Sequence, residues 1–172
     1  MKKLLSVACI SMLTACASPT VNDYAANQPT MVVNQFFNGP MTAHGIVKDR
    51  SGKVARRFTA SINASWQNGI GTLDEKFVFD DGEKQSRIWT LTPDKQGNYT
   101  GTAGDVVGSS TLQAVGNALF LNYTLRVPYK SSTLDIKIDD RMYLVNEKLL
   151  INESKMSKWG FDVGQITLVI EK

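Results

Sequence analysis

From about residue 41 onward, apolar and polar side chains alternate one for one, in runs punctuated by tight-turn sequences. Phe58, Ala60, Ile62, Ala64 and Trp66 fall on one side of an extended chain, and Thr59, Ser61, Asn63 and Ser65 on the other. A period of two is the signature of a strand buried on one face. The pattern returns in Leu119, Leu121, Tyr123, Leu125 and Val127, in Leu134, Ile136, Ile138, Met142 and Leu144, and in Ile166, Leu168 and Ile170. Between the runs lie Asn68-Gly69, Asp81-Gly82, Gly116-Asn117 and similar pairs, which supply the positive φ of short hairpin turns. The spacing predicts strands near 41–49, 54–66, 70–80, 84–92, 98–107, 110–115, 118–127, 132–145, 148–157 and 163–171. Parallel strands need long crossovers, for which these turns leave no room. About ten antiparallel strands with one apolar face must close on themselves or stack, so the expected fold is all-β, an up-and-down barrel. A membrane-spanning barrel is the alternative, and would need apolar residues facing outward. Met31 to Phe37 is the one candidate for a short helical turn, placed to plug a barrel end, with a strand as the alternative.

The first residues obey different rules. Met1-Lys2-Lys3 is basic, Leu4 to Leu13 is apolar, and Leu13-Thr14-Ala15-Cys16 follows. An apolar stretch of about ten residues is too short to span a bilayer, which needs roughly 20. A basic start, short apolar core and small residues before a cut site describe a secretory signal. Leu-Thr-Ala-Cys resembles the bacterial lipobox. That resemblance implies cleavage after residue 15, acylation of Cys16, and, with Ala17 and Ser18 rather than Asp following, delivery to the outer membrane facing the periplasm. Cys9 would leave with the leader, so no free thiol would remain for a disulfide or a metal. Residues 16–30, rich in Ser, Pro, Asn, Gln and Thr, read as a lipidated N-terminus and flexible tether, and 31–172 as the single barrel domain. Losing two lysines with the leader takes Lys+Arg from 19 to 17 against 16 acidic residues. Such a balance gives no support to nucleic-acid binding.

Phe36-Phe-Asn-Gly-Pro40, Gly71-Thr-Leu-Asp-Glu75, Asp80-Asp-Gly-Glu83, Arg87-Ile-Trp-Thr-Leu91, Gly101-Thr-Ala-Gly-Asp105, Asp139-Asp140 and Lys158-Trp-Gly-Phe161 together resemble the bacterial lipoproteins grouped as domain of unknown function 3833. The resemblance implies a lipocalin- or calycin-like barrel and carries no activity with it. The lipocalin Gly-x-Trp opening is absent.

Catalytic patterns are sparse. The chain after the leader has no Gly-x-Ser-x-Gly and no Ser-x-x-Lys, and its one histidine, His44, reads as a packed or solvent-facing strand residue. Asp80-Asp-Gly-Glu83 lacks the spacing of a calcium loop and fits a hairpin tip. No metal or cofactor is expected. Asp140 is more informative, because strict alternation puts it on the apolar side of its strand, where a carboxylate is costly unless paired or hydrogen-bonded. Either a bulge or a rim pairing turns it outward, or it joins Arg87, Asp105 and Asn152 in a polar cluster inside a cavity lined by Trp89 and Phe120. An apolar cavity with a few convergent polar groups is the usual small-ligand site. The expected function is therefore non-catalytic binding of a hydrophobic or amphipathic molecule. An envelope assembly module that recruits a protein partner, and a carboxylate-based hydrolase or isomerase, are the alternatives.

Overall fold

The computed structural model describes residues 18–172; the leader and Cys16 lie outside the described residues. Ten antiparallel strands form one closed barrel. They are β1 (Gly39–Asp49), β2 (Val54–Gln67), β3 (Ile70–Phe79), β4 (Lys84–Pro93), β5 (Tyr99–Thr102), β6 (Ser110–Val115), β7 (Ala118–Tyr129), β8 (Ser132–Asn146), β9 (Leu149–Lys158) and β10 (Phe161–Glu171). Each strand pairs with the next in sequence, and β1 closes on β10 with Ala43 opposite Ile170 and Val47 opposite Ile166. The up-and-down barrel expected from alternation is the fold observed. Asn68 and Gly69 both take positive φ, 52° and 79°, as the two-residue turn joining β2 to β3 requires.

Parity fixes the faces. On β2, Phe58, Ala60, Ile62 and Ala64 are buried while Thr59, Ser61, Asn63 and Ser65 are exposed. The polar row faces out, the reverse of the lipid-facing pattern of a membrane-spanning barrel. Leu119, Leu121, Leu150, Leu73, Leu91 and Leu112 meet the β2 row in the interior.

One barrel end is stoppered. The short helix α1 (Val33–Phe36) lies there, and Met31, Val33, Phe36 and Phe37 join the main core. The helical turn expected at Met31–Phe37 is thus present, though only one turn long. The Trp66 indole N–H donates to the Phe37 carbonyl at 2.6 Å and locks the stopper to β2. Gly71 gives that indole its space, since a Cβ there would stand 2.7 Å from the ring. A Trp66→Phe chain keeps an aromatic side chain but loses one of the two rings and leaves the carbonyl without its donor. It is expected to lose about 1–2 kcal/mol in urea unfolding, and an unchanged midpoint would show that the bond contributes nothing.

Two expectations need correction. Residues 16–30 were expected as a flexible tether. The part of that stretch within the described residues instead packs on the wall. A 3-10 turn, Val21–Tyr24, seats Val21 against Ala118 and Phe120, and Tyr24 edge-on to Phe120 with ring centres 5.6 Å apart. The Asp23 carboxylate accepts from the Thr20 backbone N–H at 2.7 Å and holds the turn. Gly116, at φ 55°, lies so close to the Tyr24 carbonyl that no Cβ would fit. The fifth strand, expected over 98–107, ends at Thr102. Beyond it the Val106 N–H bonds back to the Ala103 carbonyl, and the Asp105 carbonyl is taken by the Arg126 N–H of β7.

Candidate functional site

The end opposite α1 carries the turns β1–β2, β3–β4, β7–β8 and β9–β10 and the loop between β5 and β6. Inward side chains approaching it, such as Phe77, Tyr123, Leu125, Ile136, Met156 and Ile166, are only half-buried. Between them and the stopper lies a cavity of about 130 Å³. Its wall is mostly apolar, with Trp89, Phe77, Leu121 and Leu168 prominent, and Glu75, Arg87, Tyr123, Asp140, Asn152 and Ser154 enter it from one arc of strands, β3, β4, β7, β8 and β9.

Asp140 points inward and is 6% exposed. It sits opposite Leu121 on β7 and Ser154 on β9 with no bulge at that position. Its Oδ1 accepts from the Asn152 amide at 2.7 Å and from the Ser154 hydroxyl, and its Oδ2 from the Tyr123 hydroxyl at 3.3 Å. Burial raises its pKa, and the three donors act against that rise. The outward-turned alternative for Asp140 therefore does not occur; the rim pairing belongs to Arg141, which bonds Asp139 on the outer face.

Arg87 is the cation that lines the cavity among the described residues, 16% exposed at its side chain. Its Nε and Nη2 grip both oxygens of Asp105, at 3.0 and 2.8 Å, and Nη1 lies 3.8 Å from Glu75. A forked pair of this kind is the strong form of the interaction. It explains why β5 stops early: the chain leaves the sheet to bring Asp105 alongside Arg87.

In the sequence Glu75 stands out only as half of the acidic pair Asp74-Glu75, one of the carboxylate pairs that invite a glycosidase or calcium reading, and not as a cavity residue. It stands on the inward row of β3 between Leu73 and Phe77, opposite Arg87 on β4. Its side chain is 14% exposed, and among the described residues no N–H or O–H donates to it within hydrogen-bond distance. Burial pushes its pKa up to about 7; Arg87 pulls it down, and Asp140 and Asp105 push it further up.

Of the six residues expected at a site, Arg87, Trp89, Asp140 and Asn152 line the cavity. Asp105 reaches it only through Arg87. Phe120 does not line it. Leu119 and Leu121 point inward, so Phe120 points out and is covered by Val21 and Tyr24. His44 is exposed, its Nδ1 3.3 Å from the Thr59 hydroxyl. Trp89 meets Tyr123 edge-to-face, with ring centres 5.3 Å apart, above the polar row.

Residues 10–172 match the family described as Protein of unknown function (DUF3833). The chain belongs to that family. No curated protein sequence matches it. Among solved structures, the DUF3833 barrel is similar to the S-type phycobiliprotein lyase CPES from Guillardia theta. Identity is 12%, over 89% of this chain and 97% of the lyase, with a TM-score of 0.51. A redesigned β-barrel, mFAP0, solved bound to DFHBI, matches over 80% of this chain and all of its own, at 9% identity and a TM-score of 0.44. At these identities the lyase speaks for the fold alone.

Proposed function

We propose that this DUF3833 protein is a lipid-anchored, periplasm-facing barrel of the outer membrane that binds a small amphipathic molecule without transforming it. The anchor rests on the leader and on Leu-Thr-Ala-Cys16. One observation carries the binding: an apolar cavity inside a closed barrel, with polar side chains converging on one arc and a stopper at one end only. A chain selected only to pack would fill that volume with side chains, because voids are destabilising. The volume sets the size of guest. An apolar cavity of about 150 Å³ holds benzene, so a single ring or a short branched chain fits the space as it stands.

The test is to fill the cavity. Ala43 is 1% exposed and lines it. Ala43→Leu is expected to leave the strand signal in circular dichroism intact and to remove any small molecule that native mass spectrometry finds on the natural protein. A molecule retained at full occupancy by Ala43→Leu would place binding elsewhere and sink the proposal.

A second reading, an envelope assembly module, is favoured by Trp159 and Phe161, which stand 85% and 64% exposed at the β9–β10 turn. Clustered exposed apolar side chains mark interaction sites, and these two aromatics sit on one turn with Val163, itself 36% exposed. Cross-linking from that turn in intact cells separates the two, since a cavity binder needs no partner there.

A further inference from the structure

The polar arc inside the barrel is unevenly charged. Among the described residues Arg87 is the single cation lining the cavity, and its Nε and Nη2 are spent on the Asp105 carboxylate. Asp140 is satisfied by three neutral donors. Glu75 is left with a guanidinium nitrogen at 3.8 Å, beyond hydrogen-bond distance, and an apolar surround. Three carboxylates thus face one guanidinium, and the one without a hydrogen bond is aimed into the empty volume. A group that will not be ionised comfortably in the free protein gains most when a ligand brings the missing donor and charge.

We infer that the ligand's polar end is a cation, a protonated amine on a small apolar body, seated with its N–H groups on Glu75. The inference rests on the ligand-binding reading above and narrows it to one chemical class. The apolar body then lies against Trp89, Phe77 and Leu168, and the ammonium points to β3. An anion is disfavoured because it would meet the carboxylates of Glu75 and Asp140, with only the Nη1 of Arg87 left free to receive it. A neutral alcohol would donate one hydrogen bond but leave the charge of Glu75 uncompensated.

Binding of such a cation is coupled to proton release. The titratable groups around Glu75 are Asp74 beside it on β3, Arg87 on β4, Tyr123 on β7, Asp140 on β8 and Asp105 in the loop after β5. Asn152 and Ser154 on β9 are neutral, and Phe58, Ile62, Ala43, Ile166 and Leu168 on β2, β1 and β10 are apolar. The pKa of Glu75 is pushed up to about 7 by burial, and among the described residues it alone of the cavity's carboxylates has no hydrogen bond; Asp140 is also raised but is held by three donors. Affinity for an amine should therefore rise between pH 6 and pH 8, while affinity for an alcohol should not.

Three probes of one size decide the matter: benzylamine, benzyl alcohol and benzoate, titrated calorimetrically at pH 8 into the lipid-free domain, residues 18–172, and into its Glu75→Gln variant. Benzylamine is expected to bind about tenfold tighter than benzyl alcohol, the ratio of a charge-assisted to a neutral hydrogen bond. Glu75→Gln should bring the two close together. Amine and alcohol binding equally, or benzoate binding tightest, overturns the cation while leaving a binding cavity in place. Silence from all three probes overturns the cavity reading itself. Should Glu75→Gln fail to fold, the pH series on the unaltered domain still decides, because an amine affinity flat from pH 6 to pH 8 contradicts Glu75 as its seat.

Discussion

An Arg87→Met chain is expected to unfold about 3–5 kcal/mol more readily than the natural one at pH 7, the usual consequence of removing one partner of a buried ion pair. Methionine restores much of the stem's volume and packing, so the loss reports on charge. Without the guanidinium, Asp105 loses a forked hydrogen bond, and Glu75 and Asp140 lose the cation facing their shared space. Asp105 is 36% exposed at its side chain and can turn to water, which keeps the effect toward the lower bound. Urea unfolding at constant ionic strength gives the number. A loss below about 1 kcal/mol would mean that the pair behaves like a solvated surface bridge. A double variant, Arg87→Met with Glu75→Gln, should recover part of the loss, because the acid most dependent on that cation is then neutral.

The free domain should lose stability as pH rises from about 4.5 to about 7.5. Glu75 titrates near 4.5 when unfolded and at about 7 when folded. Between those values the folded chain holds a proton that the unfolded chain has released, so each pH unit upward favours unfolding by about 1.4 kcal/mol. The full window is worth about 3 kcal/mol. Below it both states are protonated and the effect vanishes; above it both are ionised and the loss is complete. Hydrogen-bonded carboxylates such as Asp49, Asp80 and Asp135 are held below their ordinary range. Their contribution has the opposite sign, confined to more acid pH. Glu75→Gln should flatten the upper window in a urea-midpoint series. A slope that survives the substitution assigns the proton to another group, with Asp140 next in line.

Strand number, closure and stopper were legible because one rule, alternation, governs them and the turns carry their own chemistry. The same rule placed Asp140 and Asn152 inside. Glu75 obeys it too, two residues from Leu73 and two from Phe77, but its neighbour Asp74 makes the two acids look like one solvated pair. Asp105 was visible only as a residue type, since its partnership with Arg87 depends on where a loop leaves the sheet. Phe120 was placed on the wrong side of its strand. The run Ala118-Leu-Phe-Leu121 is buried on both faces, which reads as apolar without parity. Its outer cover comes from Val21 and Tyr24, two side chains in a stretch whose polar composition suggests no packing. Composition averages over a segment, whereas docking needs only two well-placed anchors.

The seat of that N-terminal stretch also limits reach. The Pro19 carbonyl accepts from Arg141 on the outside of β8 at 3.2 Å. From there back to residue 16 a fully extended backbone covers only about 11 Å. Were Cys16 acylated as proposed, the lipid would be leashed within roughly a third of a bilayer's thickness of this flank, and the barrel would ride close against the membrane instead of swinging free on a long cord.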